Sequence, residues 1–155
     1  MDILEREARG TKLLQEMLGP EKAESIRQVW QKICPDFEKY VIEFLAGEIW
    51  SREGLDLRTR SLVTIAAVAS LGRPLALELN IRMALNNGAT RREIVETFLQ
   101  LAPYAGFPVC WEGLTVAARV FAESAPAGTT PAGTTPAGAK PAGAKPAGER
   151  SEPSA

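Results

Sequence analysis

The chain has no histidine, and its two cysteines form no CxxC pair, so acid-base and binding chemistry falls to carboxylates, arginines, amides and hydroxyls. Glu48 stands two residues before Trp50 and four after Phe44. A carboxyl group set against aromatic surfaces loses hydration and keeps its proton more readily, as a general acid must near neutral pH; at a helix end it is equally a solvated side chain. Arg60 opens an apolar run four residues after Asp56. Its guanidinium suits a substrate carboxylate, held by two parallel hydrogen bonds, or Asp56 one turn back. Tyr104 follows Pro103 at an expected break and offers a hydroxyl to a pocket or a ring to the core. Cys34 and Cys110 lie far apart in apolar surroundings and read as reduced, buried thiols.

Apolar residues recur at helical spacing through almost all of residues 1–123, and no stretch shows the strict alternation of a half-buried strand. The class is all-α, with about six to seven helices in a compact bundle. Ile3, Leu4, Leu13, Leu14, Met17 and Leu18 mark a first helix, interrupted near Gly10 and closed by Gly19 and Pro20. A second, from about Glu21 to Ile33, stops before Pro35 because a residue preceding proline avoids helical geometry. The third is expected to start from Asp36 as N-cap and to run through Phe37, Tyr40, Val41 and Phe44 toward Glu48 and Trp50. After a loop at 51–56, Asp56 caps a fourth helix whose SLVTIAAVASL is apolar on nearly every side, the pattern of a fully buried helix. Pro74 suits the first turn of a fifth helix, which Asn86, Asn87 and Gly88 bring to a stop. Thr90 and Glu93 form a capping box for a sixth. Pro103, Gly106 and Pro108 impose a break before a last helix carrying Trp111, Leu114, Val116, Val120 and Phe121.

From Ser124 the composition changes to a five-residue repeat of Pro-Ala-Gly plus two variable residues, without Val, Ile, Leu or aromatic residues. Ordering a backbone costs about 1 to 2 kcal/mol per residue, and this segment has nothing to bury in return. It reads as a disordered, partly polyproline-II-like spacer over 124–155, and glycine at every fifth position excludes collagen. The tail holds three basic and two acidic residues, leaving 15 basic against 17 acidic in residues 1–123. A core so near neutrality makes nucleic acid an unexpected partner. The N-terminal segment breaks its apolar residues with charges and lacks the apolar stretch of a signal peptide, and no apolar run reaches the 18 or so residues of a membrane span. A cytoplasmic location is the expectation.

Three stretches stand in an ordered relation: GEIWSREGLDLRTRSLVTIA from Gly47, ALNNGATRREI from Ala84 and LAPYAGFP from Leu101. In order and spacing they resemble the carboxymuconolactone decarboxylase family of the alkylhydroperoxidase-D-like superfamily, over roughly residues 10–121. The resemblance implies an all-helical protomer assembling into homotrimers or homohexamers, small active sites near subunit contacts, and cofactor-free, metal-free loss of CO₂ from a lactone carboxylate in aromatic-acid breakdown. It also implies a histidine six residues before the Asn-Asn pair, where this chain has Asn80. The peroxidase branch carries two cysteines where this chain has Arg73 and Ala76, which disfavours thiol peroxidase activity. Cys110 falls where the family often carries a small polar residue, so it faces the site or packs with Trp111 in the core or at a subunit contact.

Cofactor-free decarboxylation requires donors for the electron-rich dienolate left behind and a proton delivered to it. Asn80 can offer an amide N–H to an oxyanion but cannot exchange a proton, unless it is merely a buried or interfacial amide. Glu48 is then the expected acid, Asn80 the oxyanion donor, and Arg60, Trp50, Tyr104 and Cys110 the residues expected to contact a small carboxylated lactone or related ring. Two other functions fit the same residues: a site reassigned to proton transfer, cyclisation or isomerisation in a biosynthetic pathway, and a non-catalytic oligomeric small-molecule-binding protein.

Overall fold

Asp2 opens the first helix with a capping box, its carboxylate accepting the amide of Ile3 at 2.6 Å while Glu5 accepts the amide of Asp2 at 3.2 Å. In the computed structural model, which describes residues 2–124, the helices follow as α1 (Ile3–Leu18), α2 (Pro20–Ile33), α3 (Pro35–Lys39) running directly into a π-helix (Tyr40–Trp50), α4 (Leu57–Ser70), α5 (Pro74–Asn86), α6 (Arg91–Ala105) and α7 (Phe107–Glu123). No strand occurs among the described residues, so the all-α expectation holds. Apart from Ser124, the expected spacer lies outside the described residues. Among the described residues no helix is long and apolar enough to cross a membrane.

The caps are where local sequence suffices. Asp56 Oδ1 accepts the Thr59 amide at 2.9 Å and Oδ2 its hydroxyl at 2.7 Å. Thr90 and Glu93 bond reciprocally, the Glu93 amide donating to Thr90 Oγ1 at 3.1 Å and the Thr90 amide to Glu93 Oε2 at 2.8 Å. The amides of Thr59 and Thr90, followed by their hydroxyls, hold the Asp56 and Glu93 carboxyls below the usual carboxylate range. A depressed folded-state pKa means that this stabilisation is complete above the ordinary range and is lost as pH falls through the lowered values.

Five expectations are corrected. α1 does not break at Gly10: a Cβ there would collide with the carbonyl of Ile42, and one on Gly47 with the carbonyl of Arg6, so these glycines let α1 and the π-helix touch backbone to backbone. The third helix starts at Pro35 with Cys34 in the cap position, not after Asp36, and Cys34 is exposed rather than buried. Pro103 lies inside α6, and the break comes at Gly106, whose φ of 97° suits glycine. α4 is not fully buried: it packs on α5, α6 and α7, which cover Ser61, Ile65 and Ala69 but leave Val63 58% exposed.

The largest core cluster joins α4 to α7 through Ile65, Ile81, Ile94, Phe98 and Val120. Gly113 brings α7 against α6, since a Cβ there would lie 2.5 Å from the Phe98 ring. Two smaller clusters, Leu13, Met17, Trp50 and Met83 on one side and Leu14, Ala23 and Ile42 on the other, fasten α1 to the π-helix, α2 and α5.

Candidate functional site

Between these clusters the helices enclose a hollow of about 420 Å³. α1 contributes Leu14, Met17 and Leu18, α2 Trp30, and α3 Phe37; the π-helix adds Val41, Leu45, Ala46 and Trp50. α4 adds Thr64, and α5 adds Ala76, Leu79, Asn80 and Met83. The π-helix decides which of its residues share this wall. A π-helix turns once in roughly 4.4 residues rather than 3.6, so Val41, Leu45 or Ala46, and Trp50 fall in line. Ser51 closes the wide coil, its hydroxyl donating to the Ala46 carbonyl five residues back at 2.6 Å.

The wall carries two polar side chains, both half-buried. Asn80 Nδ2 donates to the Ala76 carbonyl at 2.8 Å, which fixes which way the amide points, since its oxygen could not face that carbonyl. A primary amide has two N–H donors, so the second N–H and Oδ1 remain available. Thr64 is unlike its neighbours in kind: the hydroxyls of Ser61, Ser70, Thr97 and Thr115 each donate to the carbonyl four residues back. Among the described residues the Thr64 hydroxyl makes no such bond. A separate, more polar groove of about 530 Å³, with Arg9, Lys12, Arg52, Glu16, Glu53 and Asp56, shares Trp50 with the cavity.

Of the residues singled out from the sequence, the structure brings Trp50 and Asn80 to one cavity and places the others elsewhere. Glu48 is paired with Arg6 at 3.0 Å, both side chains about one-third exposed, while Arg6 Nε is buried without a partner among the described residues. Arg60 donates from Nε to the Leu55 carbonyl at 3.1 Å and from Nη2 to the Arg52 carbonyl at 2.7 Å. One edge of its guanidinium therefore anchors the loop after the π-helix, and Asp56 is occupied by Thr59. Tyr104 is 80% exposed on α6, and Cys110 is buried in the main core. Asn86 and Asn87 do more than stop α5: Asn86 Nδ2 donates to the Met17 carbonyl at 2.8 Å and Asn87 Nδ2 to Ser61 Oγ at 2.9 Å, tying α5 to α1 and α4. Thr64 is the polar residue of the cavity wall that sequence reasoning missed. Its signal was a single hydroxyl within the apolar run from Leu62 to Ala69.

The sequence model of the carboxymuconolactone decarboxylase family matches residues 35–119, from the start of α3 well into α7. The chain belongs to this family. It is 35% identical over 123 residues to 4-carboxymuconolactone decarboxylase of Acinetobacter baylyi, a match covering 79% of this chain and 92% of that protein. It is 36% identical over 125 residues to an uncharacterized 15.0 kDa protein of Paracoccus denitrificans, covering 72% and 92%. Nitrosuccinic acid decarboxylase of Metarhizium robertsii is 32% identical over 119 residues, covering 77% and 83%. Decarboxylases among the relatives support an enzyme of the carboxy-lyase type. The stretch matching the carboxymuconolactone decarboxylase family includes Thr64, Trp50 and Asn80, whereas the α1 and α2 part of the wall precedes it.

Proposed function

We propose that the chain is a cofactor-free carboxy-lyase that binds a small activated carboxylic acid, such as a carboxylated lactone or a related ring, in the cavity walled by Trp50 and Asn80. The observation that carries this reading is the wall itself: apolar side chains with one amide and one hydroxyl, in a chain of the carboxymuconolactone decarboxylase family. A carboxylate taken from water into such surroundings loses hydration. As the bond to CO₂ breaks, its electron pair spreads over the conjugated framework toward an acceptor oxygen, and the dispersed charge needs less solvation than the carboxylate did. The free Asn80 N–H and the Thr64 hydroxyl are the donors for that oxygen. The remaining carbanion takes a proton from water at the cavity mouth.

The test is CO₂ release from a panel of carboxylated lactones and β-keto acids, including 4-carboxymuconolactone, beside an Ala76→Trp variant. Ala76 is an exposed helical residue at the edge of the cavity, so the indole fills the entrance without disturbing the core. Release by the parent that falls at least about tenfold in the variant is expected. No release from any acid would overturn the lyase reading, and release indifferent to Ala76→Trp would move the site elsewhere.

Assembly as a homotrimer or homohexamer is part of the same proposal. Leu71, Leu75, Tyr104, Phe107 and Trp111 are all more than two-thirds exposed in the single chain, and large apolar surfaces mark contacts with partners. Light scattering of the full chain is expected to give three or six times the 16.7 kDa chain mass; a monomer would exclude a shared interface.

A further inference from the structure

Resting on the carboxy-lyase reading, we propose that Trp50, Arg9 and Arg52 form a second anion subsite at the edge of the cavity. It holds a non-reacting carboxylate of the substrate while the scissile one faces Asn80 and Thr64. Among the described residues Trp50 is the one side chain common to the walls of the apolar cavity and of the polar groove. It is 9% exposed and its indole N–H has no acceptor among the described residues, yet the side-chain polar atom enclosed there without a partner is Arg6 Nε. The indole N–H therefore opens on the space that Trp50 borders, a donor in addition to those of Asn80, Thr64 and the Trp30 indole. Across Trp50 the groove supplies charge. Lys12 is paired with Glu16 at 3.9 Å, and Asp56 is spent on the Thr59 amide and hydroxyl. The guanidinium groups of Arg9 and Arg52 are uncommitted among the described residues, against the one uncommitted groove carboxylate of Glu53. Arg52 also has a fixed base, because its carbonyl accepts from Arg60 Nη2 at 2.7 Å, which anchors the loop two residues beyond Trp50. Two carboxylates inside the apolar cavity would both be stripped of water. A diacid lying against Trp50 loses hydration only at the carboxylate that leaves as CO₂, and the other stays in the open groove on charge-assisted hydrogen bonds.

Binding of two unreactive ring acids to the full chain, trans-cyclopentane-1,2-dicarboxylate and cyclopentanecarboxylate, is compared by calorimetry. The diacid is expected to bind at least about tenfold more tightly. Arg52→Gln and Arg9→Gln change exposed side chains, and at least one of them is expected to weaken the diacid about tenfold while leaving the monoacid within about twofold. Arg52→Lys keeps the charge and is expected to restore part of the loss to Arg52→Gln. Trp50→Phe keeps a ring but removes the N–H, and is expected to weaken the diacid about fivefold; should it fail to fold, the arginine variants decide the matter alone. The proposal is overturned by a parent that binds neither acid or does not prefer the diacid. It is equally overturned by arginine variants that both leave the preference intact or weaken both acids alike, or by a folded Trp50→Phe with unchanged diacid affinity. Turnover is then read on carboxylated lactones and β-keto acids, where the loss in Arg52→Gln is expected to fall on KM for dicarboxylates, about tenfold, more than on kcat. Preference for the diacid without CO₂ release from any acid overturns the lyase reading and leaves the subsite standing. Release from diacids with a KM indifferent to both arginine variants overturns the subsite alone.

Discussion

Gly47→Ala is expected to destabilise the fold by about 3 kcal/mol, near the upper end for forcing extra volume into a packed contact, and to weaken ligand binding in the cavity with it. The added Cβ would run into the Arg6 carbonyl oxygen, with the Arg6 carbonyl carbon 2.9 Å away and the Ile42 oxygen at 3.0 Å. These are backbone atoms inside helices, so they cannot swing aside as the end of a long side chain would. α1 must lift away from the π-helix, and α1 carries Leu14, Met17 and Leu18 into the cavity wall. Gly10→Ala strikes the same crossing from the other side, against the Ile42 carbonyl. The double variant is therefore expected to lose less than the sum of the singles, because helices already driven apart have room for the second methyl. Urea unfolding followed by circular dichroism measures all three; an unchanged midpoint for Gly47→Ala would mean that side chains, rather than backbone contact, set this spacing.

Asn80→Ala is expected to lower the rate of CO₂ release by about 10² to 10³, the usual cost of removing one preorganised donor to a developing oxyanion, with a much smaller effect on KM. Folding should be almost untouched, because the only hydrogen bond that Asn80 makes within the described residues is to a carbonyl of its own helix. Asn80→His keeps a donor at the position and adds a titratable one. That variant is expected to retain turnover while acquiring a pH dependence near 6.5, the ordinary value for histidine, that the parent lacks. Unchanged kcat in Asn80→Ala, with circular dichroism confirming the fold, would remove the amide from the chemistry.

Some of this protein is decided by neighbours a few residues apart, and those parts are legible in the sequence. Asp56 and Thr90 cap their helices because a short side-chain oxygen three residues before an unpaired amide needs nothing beyond the local chain. Gly106 ends α6 for the same kind of reason, and the spacing of apolar residues is enough to establish an all-α class. Ordered segments such as GEIWSREGLDLRTRSLVTIA carry the family, and the position six residues before the Asn-Asn pair directed attention to Asn80.

Other features depend on what a segment meets in three dimensions. Gly10 in isolation looks like a helix breaker; only the backbone of the π-helix against it makes it a contact point within a continuous helix. Cys34, apolar in its sequence surroundings, is left exposed at a cap, and α4, apolar all round, is covered on one side alone. Glu48 shows the effect most directly. At an α-helical period of 3.6 residues it would share a face with Val41 and Phe44, but the wider turn of Tyr40–Trp50 puts Trp50 in line with Val41 and leaves Glu48 outside the cavity, paired with Arg6. Hydrogen bonds reaching one residue further back rotate every later side chain on that helix. The sequence thus determined the all-α class, the caps at Asp56 and Thr90, the stop at Gly106 and which family the chain joins, while the packing of α1 on the π-helix determined which side chains face the hollow between them.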